Sequence, residues 1–190
     1  MDNTNNSCCC GETEHFSGCL ICGAPVTYSV ESSVKTCSIC HKEQLTNTVC
    51  ENGHFVCDAC HSYGTYIPVS TALRSSTEKD PLLLLEEIMD LPSVHMHGPE
   101  HHAIVPSVLL TALRNNGERM NYDTALSEIC KRAKQVPGGT CGYWGVCGAA
   151  AGAGIFMSVM TGSGPLHKDA WPFPQKLVSC LLYTSDAADE

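Results

Sequence analysis

Cysteine and histidine residues occur in closely spaced pairs between residues 19 and 60. The four pairs are Cys19 and Cys22, Cys37 and Cys40, Cys50 and His54, and Cys57 and Cys60. Spacings of two or three residues are typical of zinc ligands, and seven thiolates with one imidazole suffice for two tetrahedral Zn²⁺ sites. Because closed four-ligand sites are normally structural, we expect two zinc ions that support folding or contact with a partner rather than catalysis.

The fold of this segment depends on which pairs bind the same ion. Sequential pairing would make a zinc ribbon followed by a compact knuckle. The alternation of Val26, Tyr28 and Val30 then predicts a short hairpin within residues 23–36. Interleaved pairing would give a cross-brace similar to RING-type modules. We favour sequential pairing. His41 and His61, each just after a cysteine pair, are possible substitute ligands, but we expect them to face solvent or to lie behind the ligands.

A second group of chemically active side chains lies within residues 95–102. Its members are His95, His97, Glu100, His101 and His102. If Pro99 opens a helix, the last three occupy its first turn, where the helix dipole favours the neutral, metal-ligating form of histidine. We expect His97 with His101 or His102 to ligate an ion or transfer protons, and Glu100 to orient one of them. The alternative is a polar loop with capping histidines.

A glycine-rich stretch at residues 138–156 carries two cysteines, Cys141 and Cys147. Cys147 falls at the predicted start of a helix, where exposed N–H groups favour a thiolate. The two thiols are candidates for a redox dithiol, or for half of a metal or iron–sulfur site. The alternative is that the glycines serve close packing and both cysteines are inert.

Helices must position the reactive residues in the second half of the chain. Asp80 and Pro81 predict the start of a helix that ends before Pro92, and Pro106 predicts a kink. The four predicted helices cover 82–91, about 99–115, 121 to the Pro137 stop, and 147 to about 160.

The fold class that follows is a small zinc-ribbon-like (or cross-brace) β module followed by an all-α domain, truncated at its carboxyl end. The chain is predicted to begin with a disordered tail at 1–18, which contains Cys8, Cys9 and Cys10. The zinc module at 19–61, a connector at 62–80 and a helical Cys/His domain at 81–179, incomplete at its carboxyl end, follow. Residues 180–190 resemble a translated sequencing adapter, so we exclude them from the fold.

Composition limits the classes of function. Fourteen cysteines occur without a secretory signal, so a reducing, cytoplasmic compartment is expected. A net charge of −9 with scattered Lys and Arg argues against nucleic-acid binding. No apolar run approaches the roughly 18 residues of a membrane span.

Three segments carry a resemblance to a known family: CENGHFVCDACH (50–61), MHGPEHH (96–102) and GGTCGYWGVCGAAAGAGIF (138–156). In them the chain resembles an uncharacterised family from anaerobic bacteria and methanogenic archaea, over about residues 19–167. The resemblance implies a zinc-ribbon-like start joined to a cysteine-containing helical domain. It also implies association with SAM-dependent methyltransferases or radical-SAM proteins, and a further cysteine pair near the carboxyl end.

These observations together predict a zinc-binding accessory of anaerobic metabolism. Its helical domain would be metal-dependent or thiol-redox active, with Cys141 and Cys147 as the reactive thiolates and an iron or iron–sulfur centre as an open alternative. The second hypothesis is a non-catalytic zinc adaptor that docks a partner enzyme such as a methyltransferase.

Overall fold

The structure of this protein, a computed structural model, describes residues 18–95 and 98–184. The tail predicted at 1–18 lies outside this part of the chain except for its last residue. The same holds for the final six residues of the predicted adapter sequence. Over the described ranges the chain forms a two-stranded antiparallel sheet and seven helices.

The amino-terminal module is one hairpin, formed by β1 (Val26–Thr36) and β2 (Glu43–Cys50). The register pairs Val26 with Cys50 and Thr36 with Glu43, with an irregularity between Tyr28 and Ser33. The prediction of a hairpin within residues 23–36 was therefore wrong. Most of that insert is a single strand, because its partner is the alternating segment that follows the second cysteine pair.

In the part of the chain that the structure describes, seven helices follow the hairpin. They are α1 (Asp58–Ser75), α2 (Pro81–Met89), α3 (His101–Asn115), α4 (Tyr122–Ala133), α5 (Thr140–Trp144), α6 (Gly148–Met160) and α7 (Pro172–Tyr183). None of those described is long and apolar enough to cross a lipid bilayer.

Local sequence signals explain where several helices begin. The Asp80 carboxylate accepts hydrogen bonds from the N–H groups of Leu82 and Leu83, which confirms the predicted cap of α2. Asn121 caps α4 through the N–H of Thr124. Helix α3 begins at His101, two residues later than predicted, and Pro106 lies inside it.

Helix α1 replaces most of the connector predicted at 62–80. Ser62, Thr65, Val69 and Leu73 recur at helical spacing and are buried, so this segment belongs to the core rather than to a linker. Only residues 76–80 connect α1 to α2, and Arg114 of α3 donates to the carbonyls of Leu73 and Ser76 at the end of α1.

Two apolar clusters hold the helices together around α3. One side of α3 packs against α1 and α2 through Leu73, Leu84, Ile88, Ile104 and Val108, and further along it Leu110 packs against Leu126 and Ile129 of α4. The start of α3 is thereby fixed next to the first turns of α1 and α6.

Candidate metal centres

The first ligand group consists of Cys19, Cys22, Cys50 and His54, whose ligand atoms all lie within 4.8 Å of one another. A tight turn precedes β1, in which Gly23 N–H donates to the Cys19 carbonyl. The pairing of Val26 with Cys50 then brings the end of β2 beside this turn. The Sγ atoms of Cys22 and Cys50 are 3.9 Å apart, and Cys50 Sγ lies 3.6 Å from His54 Nδ1.

The second ligand group consists of Cys37, Cys40, Cys57 and Cys60, within the same 4.8 Å limit. Cys37 and Cys40 lie in the turn between the strands, which His41 closes with a left-handed φ of 58°. Ser38 N–H donates to the Phe55 carbonyl and draws the segment leading to Cys57 against this turn. The Sγ atoms of Cys40 and Cys57 are 3.8 Å apart, so four thiols converge here.

The two groups interleave along the chain, which overturns the sequential pairing we favoured. Cys22 and Cys37 lie on either side of the 11-residue strand β1, so they cannot share an ion unless the insert folds back. The antiparallel register instead joins the first pair to the third. The second and fourth pairs meet at the turn. Both groups can hold a metal ion in the cross-brace arrangement.

Hydrogen bonds and crowding set the acidity of these thiols in opposite directions. The side chain of Asn52 donates to Cys22 Sγ and, with other hydrogen bonds, lowers the pKa of Cys22 to about 6. Burial and the neighbouring sulfurs of Cys57 and Cys40 raise the pKa of Cys60 to about 12. Four converging thiols cannot all ionise without a compensating cation, and a bound metal ion would provide one.

A third ligand group lies where α1 meets the helical domain, and it consists of His61, His95 and Glu100. His61 Nδ1 is 3.2 Å from one carboxylate oxygen of Glu100, and His95 Nδ1 is 2.8 Å from the other. Burial alone would raise the pKa of Glu100. Hydrogen bonds from His61, from its own backbone N–H and from His95 lower that pKa to about 2.

His101 and His102 lie in the first turn of α3, as predicted, but their side chains have other partners than Glu100. His101 Nε2 donates to the His95 carbonyl at 2.8 Å. His102 is buried, which lowers its pKa, and its ring lies against Gly148 at the start of α6. Its Nδ1 has no hydrogen-bond partner among the described residues. Neither His101 nor His102 joins Glu100 in the third group, and His97 lies outside the described residues.

Cys141 and Cys147 are both exposed free thiols. Cys141 lies in the short helix α5, and Cys147 is the N-cap residue of α6, as predicted. Neither belongs to a ligand group in the part of the chain that the structure describes. Their redox role stays a prediction.

Sequence reasoning missed two residues of the third group. His61 was expected to face solvent or to lie behind the zinc ligands, and His95 was not singled out from the histidine-rich segment. The available signal was the helical continuation of the segment after Cys60, which turns His61 toward the helical domain.

Comparison with known proteins gives one match. The model of a family described as a family of unknown function (DUF5714) matches residues 69–186. These residues include His95, Glu100 and both Cys141 and Cys147, but not the paired ligands at 19–60 or His61. No curated protein and no solved structure matches the chain.

Proposed function

This chain belongs to the DUF5714 family, and we propose that it is a zinc-dependent accessory protein whose amino-terminal module binds two structural Zn²⁺ ions. The observation that carries the proposal is the interleaved convergence of eight ligand side chains into two closed sets of four. This refines the expectation of a zinc ribbon to a cross-braced zinc module, and the coarser prediction of a family of unknown function is confirmed.

The distances between ligand atoms support zinc as the ion. Tetrahedral Zn²⁺ with Zn–S bonds of about 2.3 Å holds two sulfurs about 3.8 Å apart, and a sulfur and an imidazole nitrogen about 3.6 Å apart. The two Sγ separations of 3.9 and 3.8 Å and the sulfur–nitrogen separation of 3.6 Å fit these values. Thiolate with imidazole is also the donor set that Zn²⁺ prefers.

The scarcity of apolar contacts in the module makes the ions necessary for folding. Its buried cluster consists of Phe55 with Cys37 and Cys57, flanked by Cys40 and Cys60. Tyr28, Val34 and Leu45 of the hairpin are exposed. So small a core cannot offset the conformational entropy of an ordered hairpin, so metal coordination has to supply the remainder.

Helix α1 connects the metal sites to the core of the helical domain. Cys60 lies in its first turn as a ligand of the second group, and Val69 and Leu73 further along are buried in the helical core. Asp58 also accepts a hydrogen bond from the Gly138 N–H, 3.1 Å away. Zinc binding therefore fixes the start of α1 beside the histidine-rich segment and the glycine-rich loop.

A second candidate function is a non-catalytic adaptor, and the exposed apolar side chains of the hairpin favour it. Val34 and Leu45 are cross-strand partners exposed by 62% and 71%, and Tyr28 is exposed by 66%. A methyltransferase or radical-SAM protein is the partner that the resemblance implied. An adaptor needs only the two zinc ions, whereas metal-dependent or redox chemistry requires a further ion or a reactive thiol pair in the helical domain.

Zinc content of the full chain tests the proposal. We expect Cys40→Ser to lose one Zn²⁺ per chain relative to the unmodified protein by elemental analysis, because serine is a poor ligand in a thiolate site. Cys180→Ser is the matched control, since Cys180 is exposed in α7 and belongs to neither group, and it should retain all the zinc. Equal zinc content in Cys40→Ser and the unmodified protein would refute the proposal.

A further inference from the structure

The geometry points to a third divalent-cation site, formed by His61, His95 and Glu100 and separate from the two thiolate sites. Two imidazoles and one carboxylate converge from three different segments: the first turn of α1, the α2–α3 loop and the N-cap of α3. Such a donor set suits Zn²⁺, Fe²⁺ and similar first-row transition-metal ions. We assign this site to an ion of that class.

The buried charge of Glu100 favours a bound cation at this position. Its side chain is fully buried, with 0% exposure, and a buried carboxylate needs a cation or a metal ion as partner. Within residues 18–95 and 98–184 no Lys or Arg forms an ion pair with it; the groups that face its two oxygens are the imidazoles of His61 and His95. A divalent ion held by these three side chains would balance the negative charge of the buried carboxylate.

Other contacts hold the chain segments that carry the three ligands. Thr65 Oγ1 donates to the Ser93 carbonyl at 2.5 Å and ties α1 to the loop that carries His95. The residue before His95, Val94, is fully buried, and the Glu100 carbonyl accepts the N–H of Ala103 and of Ile104. Because these segments are held before an ion binds, little backbone conformational entropy is lost on binding.

Gly98 provides the space that this arrangement needs. A Cβ atom at this position would overlap the Glu100 carboxylate, so any other residue would displace the carboxylate from the two imidazoles. The glycine between the histidines and the glutamate is therefore part of the site's construction.

Access distinguishes this site from the thiolate sites. The side chains of His61 and His95 are 21% and 17% exposed, while Glu100 is wholly buried, so the imidazole side faces solvent. Three protein ligands leave at least one coordination position for water or for an oxygen atom of a substrate. The two closed sites have no such position.

Zinc stoichiometry of full-length variants tests the assignment. The chain is loaded with excess Zn²⁺, freed of unbound ion by gel filtration, and analysed for zinc and for free thiols. We expect three zinc ions for the unmodified protein and two for His95→Ala and for Glu100→Gln, because each substitution leaves the third site with only two good ligands. His167→Ala, at an exposed histidine that belongs to none of the ligand groups among the described residues, should keep three.

The thiol count separates this test from that of the two-zinc proposal. Thiols of the paired cysteines should stay protected in His95→Ala and Glu100→Gln, which also shows that the module remains folded. Two zinc ions with protected thiols in the unmodified protein would overturn the third site and leave the thiolate sites standing. Three ions retained in both variants would likewise overturn this ligand assignment.

Discussion

Cys22 and Cys60 belong to similar CxxC pairs, yet their thiol pKa values shift in opposite directions, to about 6 and about 12. Cys22 receives a hydrogen bond from Asn52, whereas Cys60 is partly buried among other sulfurs. Individual acidity therefore follows the immediate surroundings of each sulfur rather than its motif. A metal ion bound in each ligand group would stabilise both thiolates, because it offsets the burial of the sulfurs and the repulsion between neighbouring charges.

The cysteines outside the ligand groups should differ in their reactivity toward an alkylating reagent. In the folded, zinc-loaded chain we expect iodoacetamide to modify the exposed Cys141 and Cys147 before the half-buried Cys130, because burial raises the pKa of the Cys130 thiol. Peptide mass spectrometry of a labelling time course would measure the order. Modification of Cys130 first would contradict the expectation.

The redox assignment of Cys141 and Cys147 needs a sharper test. If they act as a dithiol pair, mild oxidation should join them in a disulfide that Cys147→Ser cannot form, with Cys180→Ser as the control that still forms it. Should Cys147→Ser leave both the thiol reactivity and the metal content of the helical domain unchanged, the two cysteines have no such role.

The close packing of α6 against α3 predicts how a substitution between these helices changes stability. A Cβ atom on Gly152 of α6 would lie 2.8 Å from Cδ of Pro106 in α3, and the proline ring cannot move aside. We expect Gly152→Ala to lower the free energy of unfolding by about 1–3 kcal/mol, the usual cost of overpacking. Urea denaturation followed by circular dichroism would measure it.

Gly64→Ala is the matched control for this substitution. Gly64 also lies in a helix, α1, but nothing lies within 4 Å of an added Cβ atom. Alanine should therefore stabilise the protein by about 0.5–1 kcal/mol through helix propensity alone. Equal effects of the two substitutions would show that α3 and α6 do not approach as closely as described.

Helices with explicit start and stop signals could be predicted from the sequence. Asp80 with Pro81 located α2, and Asn121 located α4, because caps act within a few residues. Helix α1 was missed because its buried face includes Ser62 and Thr65, which give little apolar periodicity. Helix α5 is a single turn between two left-handed glycines, Gly139 and Gly145, and so short an element has no periodic pattern to detect.

At the level of the whole molecule, the eight ligand residues could be predicted from local spacing. Which of the four pairs share an ion could not be predicted in this way. Which pairs meet depends on the register of β1 with β2, and that register involves residues up to 24 positions apart. The third group is less local still, because His61 and Glu100 are 39 residues apart. Only the packing of α1 against α3 brings them together.

Alkylation mapping of Cys22→Ser in the zinc-loaded full chain tests the interleaved zinc sites most directly. The interleaved arrangement predicts that Cys19 and Cys50 lose their protection by zinc, while Cys37, Cys40, Cys57 and Cys60 stay protected as in the unmodified protein. Newly reactive Cys37 and Cys40 alongside a protected Cys50 would establish sequential pairing instead. Uniform reactivity of all these thiols in the zinc-loaded unmodified protein would contradict metal binding by the module altogether.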